Sequence, residues 1–565
     1  MRRFINKTLI LLILTTGICR SQAVSDDSLR SVISARGEAE VLIARPGRPE
    51  LDIISRHLSI SSVREGSVYI TLTPATVEWF LGLGKPWKLI PPEDPKGLVT
   101  AASVKDAMEW DTYPTYTQYD SIMRKLQADY PQLCRLDTIG TSIYGKQVLV
   151  LKISDNVADD EDEPEVFYSS TMHGDELAGF VLMLRLADHL LRNYSSDTRV
   201  KNLVDNLEIW INPLANPDGT YRTGNIISSP TRTNAEGYDL NRKFPDPLDP
   251  SIVPPKENVD MISFMRKRRF VLSANFHSGF EVVNFPWDRW FSKYHADHNW
   301  FYEISRRYAD TVHAVSGLSY LNEYDSGVVR GSDWYTIYGG RQDFITWELQ
   351  GREVTIELDY VKQTPAAQLE LLWQYNRQSF IGYLENALYG IHGRVLDDAT
   401  SEPVPARVFI DGHDKDSSHV YADTTTGSFI RMLSPGTWDL RFSAYGYRDT
   451  VVTGVQVLPL RRTDLTVYMK SDGTKTDSVY PETPLLFPVP ANEYVECRLP
   501  STLQGRISVT IYTSAGAKIK ETITGQRPLI LNVRGLAPGV YIAIFRSLST
   551  GVSYRAGIVV AADGY

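Results

Sequence analysis

The sequence predicts a central α/β domain in which a mixed, largely parallel sheet is flanked by helices. Strand-like apolar runs at 148–151 and 166–168 alternate with amphipathic helical stretches at 177–194 and 366–388. Alternation of this kind is typical of strands joined by helices that cross the faces of a sheet. The pattern extends over about residues 108–389 and marks the central domain.

After residue 390 the pattern changes to short alternating strands separated by turn signals. A spacing of about ten residues between such strands favours a β-sandwich. We therefore expect a β-sandwich over 390–470, a polar linker over 471–487 and a last β-sandwich domain over 488–565.

A small α/β unit is predicted before the central domain, over residues 24–98. Strand-like runs at 41–43 and 68–72 are followed by a helical stretch that starts near Pro74. The size suits a propeptide, and the proline-rich, acidic segment 90–95 reads as an exposed linker that proteases reach easily. A permanent N-terminal domain is the equal alternative.

The N-terminus itself reads as a signal peptide over residues 1–23. Basic residues precede an apolar run from Leu9 to Leu14, and small and polar residues follow up to Ala23. The run is too short to cross a bilayer, and no other apolar stretch of about 20 residues occurs, so no transmembrane segment is expected. A lipid anchor on Cys19 is the alternative, although Ile18 suits that motif poorly.

Composition excludes several classes of protein. With 565 residues, 42% of them hydrophobic and 22% charged, the chain has the composition of a globular protein of several domains. A net charge of -9 offers nucleic acid no broad cationic surface, so none is expected as a partner. Beyond the signal peptide only Cys134 and Cys497 remain, which argues against a disulfide framework. Any metal site must therefore use histidines and carboxylates.

Three segments carry residues suited to metal chemistry. His173 and Glu176 stand three apart where a strand ends and a helix starts, which predicts that both face one side of the first helical turn. His277 is placed at a strand end, and Glu357 lies on an alternating strand from which it can project into a cleft. Taken singly, each has an ordinary structural explanation, such as a capping glutamate or a surface histidine.

Taken in order, these motifs resemble the M14 family of zinc carboxypeptidases, in the branch that includes carboxypeptidases D, E, M and N. The motifs are H-x-x-E at 173–176, N-P-D-G at 216–219, R-x-N-x-x-G-x-D-L-N-R at 232–242, H-S-G at 277–279 and T-I-E-L at 355–358. The resemblance covers about residues 113–388, and the following β-sandwich is similar to the transthyretin-like domain of that branch.

The resemblance implies roles for individual residues. His173, Glu176 and His277 would bind one Zn²⁺, and Asp239 would hydrogen-bond the ligand His173. Other divalent ions suit the same ligands, so the native metal stays open.

Catalysis and substrate binding are implied for a second group of residues. Glu357 would be the general base, and Arg232 would face the developing oxyanion. The terminal carboxylate of a peptide or protein would bind to Asn241, Arg242 and Tyr335.

Substrate choice depends on Asp288, at the end of a V-N-F-P-W-D segment similar to one in relatives specific for basic residues. The resemblance implies release of C-terminal Lys or Arg, whereas a surface or capping aspartate is the structural alternative. Gln342 stands at the pocket position at which the pancreatic branch has an aspartate or an apolar residue. Arg341 and Lys243 depart from the pattern, where a methionine and an asparagine are more frequent.

The last domain resembles the C-terminal sorting domain of the type IX secretion system of Bacteroidetes, on the segments 536–542 and 554–560. This implies export through outer-membrane secretion machinery to the cell surface or medium, with an ordinary accessory β domain as the alternative.

The predicted function is a secreted zinc metallocarboxypeptidase that releases Lys or Arg. The alternatives are a zinc peptidase for other C-terminal or cell-wall peptides, and an inactive surface-binding module, against which Glu357 and Arg232 argue.

Overall fold

The computed structural model describes residues 25–560, except 65, 93–96, 223, 250, 445, 473–483, 488–493, 501, 504, 525–528 and 534. The predicted signal peptide at 1–23 and most of the predicted linker at 471–487 lie outside the described residues. Within the described part, no helix has both the length and the apolar character needed to cross a membrane.

The N-terminal unit is a four-stranded antiparallel sheet in the order β2-β3-β1-β4, packed against helices. Helix α1 begins where the Ser25 hydroxyl accepts from the Ser28 amide, and it ends at Gly37, whose φ of 85° suits glycine. Helices α1 and α2 are additional to the single helix that the sequence predicted. The elements are α1 Asp26–Arg36, β1 Ala39–Ala44, α2 Arg48–His57, β2 Ser59–Arg64, β3 Ser67–Leu72, α3 Val77–Gly82 and β4 Trp87–Ile90.

The central domain contains the predicted mixed sheet, with eight strands in the order β11-β10-β12-β9-β7-β8-β6-β5. Its strands are β5 Cys134–Thr141, β6 Gln147–Ile153, β7 Glu165–Ser170, β8 Glu208–Asn212, β9 Phe270–His277, β10 Phe280–Phe285, β11 Val328–Arg330 and β12 Arg352–Asp359. Its helices are α4 Val104–Ala107, α5 Tyr116–Asp129, α6 Ala178–Asn193, α7 Thr198–Val204, α8 Pro217–Thr220, α9 Lys256–Arg266, α10 His298–Ser316, α11 Glu323–Ser326, α12 Gly331–Trp334, α13 Arg341–Glu348 and α14 Leu369–Leu384.

The inner strands of this sheet are covered on both faces. Four strand pairs are parallel and three are antiparallel, the antiparallel ones lying toward the two edges. Strand β8 is buried along its whole length, and most residues of α6 are buried. Strands β12, β9 and β7 are adjacent and mutually parallel, so their carboxyl ends meet at one edge. Loops that leave this edge are the usual place for a binding site in such sheets.

Two sheets of three and four strands enclose a separate apolar core over 390–470, which makes this region a β-sandwich. Two further sheets of three and four strands enclose the last core. The strands are β13 Gly390–Asp397, β14 Arg407–Phe409, β15 Val420–Tyr421, β16 Ser428–Arg431, β17 Gly436–Ser443, β18 Thr450–Val457, β19 Arg462–Met469, β20 Leu485–Phe487, β21 Tyr494–Arg498, β22 Ile507–Thr513, β23 Lys518–Thr524, β24 Leu529–Asn532, β25 Gly539–Ser547 and β26 Ser553–Val560.

A buried ion-pair network joins the central domain to the β-sandwich. The carboxylate of Asp297 accepts hydrogen bonds from Arg352 at 2.7 Å and from Arg431 of the sandwich at 2.7 and 3.0 Å. His413 of the sandwich places its Nε2 2.9 Å from the same carboxylate. Burial alone would raise the pKa of Asp297, but the two arginines hold it well below its usual range.

Candidate active site

Two histidines and a glutamate converge at the carboxyl edge of the sheet. The ligand atoms of His173, Glu176 and His277 all lie within 4.8 Å of one another. His173 Nδ1 is 2.9 Å from Glu176 Oε1, His277 Nδ1 is 2.6 Å from Glu176 Oε2, and the two Nδ1 atoms are 3.0 Å apart. All three side chains are buried, and the short distances between their ligand atoms leave one common position for a cation.

The local backbone differs from the prediction in one respect. His173 and Glu176 lie in a turn between β7 and α6, not in the first turn of the helix, which begins at Ala178. A Cβ atom added to Gly174 would lie 2.3 Å from the carbonyl carbon of Gly219. The H-G-D-E turn therefore packs backbone to backbone against the N-P-D-G turn, and this packing replaces the regular helical start.

Each histidine is also held from its outer side. His173 Nε2 lies 2.9 Å from Asp239 Oδ1, the contact expected for this aspartate. His277 Nε2 lies 2.7 Å from the side-chain nitrogen of Asn275, whose buried Oδ1 meets no donor among the described residues. If His277 Nδ1 binds a metal, Nε2 must carry the proton, and the oxygen of Asn275 is then the partner it needs.

Charge at this place suits a divalent cation. Burial lowers the pKa of His277 to about 4, so its ring is neutral at pH 7, as a ligand must be. Burial alone would raise the pKa of Glu176, but the two histidines hold it well below its usual range. One carboxylate and two imidazoles form a set of zinc ligands that leaves a fourth position open. The residues present therefore fit the metal.

Glu357 and Arg232 flank the three ligands. Glu357 is half-buried and pairs in register with His277 on the neighbouring parallel strand, so both side chains lie on one face of the sheet. Burial and the charge of Glu176 raise the pKa of Glu357 well above its usual range. Arg232 is 2% exposed, and it donates to Glu176 Oε1 at 2.8 Å and to Asp239 at 3.2 Å.

The three residues predicted to hold a terminal carboxylate lie together. Asn241 and Arg242 form a short 3₁₀ turn that begins at Asp239, and Tyr335 follows α12. Arg242 Nη2 donates to the Ile60 carbonyl at 2.9 Å, and the Tyr335 hydroxyl lies 3.4 Å from the same oxygen. A carbonyl oxygen of the N-terminal unit therefore lies between the two groups expected to bind a carboxylate.

Asp288 lies in a buried polar pocket next to these residues. Its Oδ1 accepts from Asn284 at 3.1 Å and from Gln342 at 3.0 Å. A Cβ on Gly340 would lie 3.8 Å from both Asp288 Oδ2 and Asn241 Oδ1, which places the pocket beside the predicted carboxylate site. A Cβ on Gly331 would lie 1.7 Å from Asp288 Oδ1, so the space over this carboxylate requires glycine.

Comparison with known proteins agrees with this geometry. Residues 119–379 match the family model described as zinc carboxypeptidase. Over 349 residues the chain is 34% identical to human carboxypeptidase D, and the alignment covers 59% of this chain and 25% of that protein. It is 31% identical over 400 residues to the human carboxypeptidase N catalytic chain, covering 62% of this chain and 85% of that protein. The chain belongs to the zinc carboxypeptidase family.

One further match concerns the C-terminal domain, and two others again concern carboxypeptidases. Residues 485–559 match the family model described as secretion system C-terminal sorting domain. Carboxypeptidase SOL1 of Arabidopsis thaliana is 33% identical over 353 residues, with 60% of this chain and 69% of that protein covered. A crystal structure of carboxypeptidase A from Helicoverpa armigera has a TM-score of 0.47 and 18% identity over 61% of this chain and 97% of that chain. The chain spans about a quarter of the length of the carboxypeptidase D proteins that it matches.

Two residues of the pocket around Asp288 were missed in the sequence. Asn284 supports Asp288, and Asp343 accepts from the backbone amides of Asp288 and Arg289 at 3.0 and 2.8 Å. Asn284 lies inside the V-N-F-P-W-D segment that ends at Asp288, so its position in the sequence could have indicated that it belongs to the pocket. Asp343 stands in a helical sequence far along the chain, and no local pattern indicated that it reaches Asp288.

The larger omission is the position of the N-terminal unit, which covers the cleft of the central domain. The Ser59 hydroxyl hydrogen-bonds Asp239 and accepts from Arg232 Nε at 2.9 Å. The Glu38 carboxylate accepts from the backbone amides of Arg232 and Thr233 at 2.8 and 3.0 Å. Sequence reasoning predicted a separate unit here, but side-chain patterns alone gave no indication of where it docks.

Proposed function

We propose that this protein is a secreted zinc carboxypeptidase that hydrolyses the last peptide bond of peptides and proteins and releases C-terminal lysine or arginine. The observation that supports this most is the arrangement of one cleft. It contains a three-ligand cation site, and next to Gly340 it brings together Asn241, which precedes Arg242 in the chain, and the buried carboxylate of Asp288. A basic residue with a free C-terminus presents the complementary groups.

The proposed chemistry assigns one task to each side chain. His173, Glu176 and His277 would hold the zinc, which polarises the scissile carbonyl and acidifies a water molecule when it is bound. Glu357 accepts the proton of the attacking water and delivers it to the leaving amine. Burial and the neighbouring Glu176 carboxylate raise the pKa of Glu357, which makes this carboxylate a stronger proton acceptor than an exposed one.

Positioning follows from the charged groups around the ligands. Arg232 is held by Glu176 and Asp239 with its guanidinium in the cleft, where it stabilises negative charge that develops on the carbonyl oxygen. Arg242, Asn241 and Tyr335 bind the terminal carboxylate, and this requirement for a free carboxylate makes the enzyme an exopeptidase.

Mass spectrometry of peptides tests the proposal. Zinc-loaded protein is incubated with peptides that differ only in a C-terminal Lys, Arg, Phe, Ala or Glu, with and without a chelator. Chelator-sensitive loss of one Lys or Arg is the expected result. Loss of other residues would contradict the basic specificity, and no loss from any peptide, even after the N-terminal unit has been removed, would contradict the peptidase itself.

Variants of two glutamates give a matched comparison. The Glu357→Gln change should lower kcat by about 10²–10⁴-fold while zinc binding is retained, because the proton acceptor is lost. Glu236 is exposed, and Glu236→Gln should leave the rate unchanged.

We also propose that the unit at 24–98 is an inhibitory prosegment, since it occupies the cleft. Its apolar core is continuous with Phe280, Trp334 and Ile337 of the catalytic domain. The Ile60 carbonyl and the Ser59 hydroxyl take positions that a substrate would need. A peptide cannot bind until this strand moves away.

Neighbouring isoleucines of the prosegment provide the test. Ile54 is completely buried, so Ile54→Asp places a charge in the apolar core and should unfold the unit. Ile53 is 53% exposed, and Ile53→Asp should not. We expect peptide hydrolysis by the full chain to rise about tenfold or more for Ile54→Asp only. Equal rates for all three proteins would identify a permanent domain that does not block the cleft.

Export is the last part of the proposal. The match of residues 485–559 to a secretion sorting domain supports delivery by the type IX system to the cell surface or medium. The β-sandwich at 390–470 is proposed to be the transthyretin-like domain of the carboxypeptidase D, E, M and N branch. Deletion of residues 485–565 in the producing bacterium should retain the protein in the periplasm, as fractionation and immunoblotting would show.

A further inference from the structure

Lys362 is a basic residue of the cleft to which the proposed chemistry gives no task. It lies in the loop after β12, and its backbone carbonyl accepts from the Leu177 amide at 2.9 Å. Its Cγ would be 3.3 Å from a Cβ on Gly279, two residues after the ligand His277. Its side chain is 12% exposed, and Nζ lies 3.7 Å from Asp175 Oδ2. Lys362 therefore lies over the loops that hold the metal ligands.

The prosegment places a carboxylate on this lysine. Glu40 Oε1 accepts from Lys362 Nζ at 2.6 Å, with 23% of the Glu40 side chain exposed. The Ser61 hydroxyl donates to the same carboxylate. Although burial disfavours the charged form, the Lys362 ammonium lowers the pKa of Glu40. The cleft therefore binds an ionised acidic side chain at this position.

The register of β10 and β12 shows on which side of the scissile bond this position lies. Val282 pairs with Glu357, and Asn284 pairs with Thr355, so Asn284 and Glu357 share one face of the sheet. The specificity pocket therefore extends from Glu357 back along β12. Lys362 follows Glu357 by five residues in the other direction, beyond the strand end at Asp359.

We propose that Lys362 is a specificity-determining residue that binds an acidic side chain on the residue before the scissile bond. The inference rests on the proposed carboxypeptidase function. With the terminal residue in the pocket toward Asn284, the rest of the peptide leaves past Lys362. The preferred substrates are then peptides that end in Glu or Asp followed by Lys or Arg, and Glu40 is the prosegment's substitute for that acidic side chain.

A ratio of rates measures the preference. Peptides that end in Glu-Lys and Gln-Lys differ in charge but hardly in shape, and both are given to the zinc-loaded full chain and to its Ile54→Asp form. Molecules whose cleft is closed by the prosegment lower the apparent kcat/KM of both peptides by the same factor. The ratio of the two kcat/KM values therefore depends only on molecules with an open cleft. We expect a ratio of about fivefold in favour of Glu-Lys, the size of a partly screened ion pair, decreasing as salt is added.

Variants of Lys362 separate recognition from prosegment release. Lys362→Met also removes the contact with Glu40 and so raises both rates, but the ratio should fall to about one. In Lys362→Glu the preference should move to a peptide that ends in Lys-Lys. Lys256 is a surface residue paired with Asp260 on α9, and Lys256→Met should leave the ratio unchanged.

The outcomes distinguish the two proposals. Hydrolysis of both peptides at equal rates by the unaltered protein, or a ratio that survives Lys362→Met, overturns the role of Lys362 and leaves the carboxypeptidase standing. Failure of both proteins to hydrolyse any peptide with a basic end overturns the proposed function, and the role of Lys362 with it.

Discussion

Replacement of Asp288 by asparagine is the sharpest test of substrate choice. The Asp288 carboxylate is 2% exposed and accepts from two amides, so Asp288→Asn keeps the shape of the pocket and removes one charge. A lysine substrate would then bury an ammonium without its counter-ion. Breaking a buried pair in this way costs about 3–5 kcal/mol, which corresponds to a loss of about 10²–10³-fold or more in kcat/KM.

The assay compares peptides that end in Lys and in Ala. The alanine peptide leaves the pocket without a charged side chain, so its kcat/KM should change less than tenfold in Asp288→Asn. Gln342→Glu serves as the partner variant, because it adds a carboxylate beside Asp288 and should preserve the preference for Lys. Parallel loss for both peptides would refute the reasoning, since it would mean that Asp288 supports the fold and not the choice of substrate.

The same pocket predicts a dependence on pH. Burial raises the pKa of Asp288 to about 7. Below this pH the empty pocket is neutral, and above it the carboxylate is charged and ready to bind an ammonium. We therefore expect the ratio of kcat/KM for Lys over Ala peptides to rise between pH 6 and 8, and Asp288→Asn should abolish this rise. A ratio independent of pH would contradict the assignment.

Three further changes test other parts of the structure. Asp239→Asn should weaken zinc binding about 10–100-fold in a chelator competition, because it removes the anionic partner of a ligand histidine; unchanged affinity would contradict its role. Gly174→Ala should lower the melting temperature, because overpacking at this position costs about 1–3 kcal/mol of stability. Gly47→Ala should not lower it, because an added Cβ there has no atom within 4 Å. Asp297→Asn should cost about 3–5 kcal/mol in urea unfolding at pH 7. Its pKa is lower in the folded protein than in the unfolded chain, so its contribution to stability is present above about pH 4 and is lost as the pH falls through the lower folded value.

Much of the fold could be predicted because it depends on local patterns. The alternation of apolar runs and helical stretches predicted the mixed sheet flanked by helices, and that part of the prediction is confirmed. His173, Glu176 and His277 were found because they belong to recognisable motifs that follow or end a strand, and the structure places them together. Their roles remain predictions, as do those of Glu357 and Arg232.

What sequence reasoning missed depends on contacts between distant segments. Asp343 contacts Asp288 only because α13 returns beside the end of β10, which no local spacing reveals. Arg341, which departs from the family pattern, forms an ion pair with buried Glu353 at 3.0 Å, so the positive charge of Arg341 is neutralised inside the core. The docking of Ser59 and Ile60 is likewise a tertiary contact of an otherwise ordinary strand.

The contact between Arg242 and the carbonyl of Ile60 has an evolutionary consequence. A main-chain carbonyl is present whatever the side chain, so substitutions at position 60 preserve this contact as long as β2 keeps its course. Substitutions at the half-buried positions of this strand therefore need not open the cleft. The N-terminal units of homologous chains are expected to diverge in sequence at this strand while they conserve its path across the central domain.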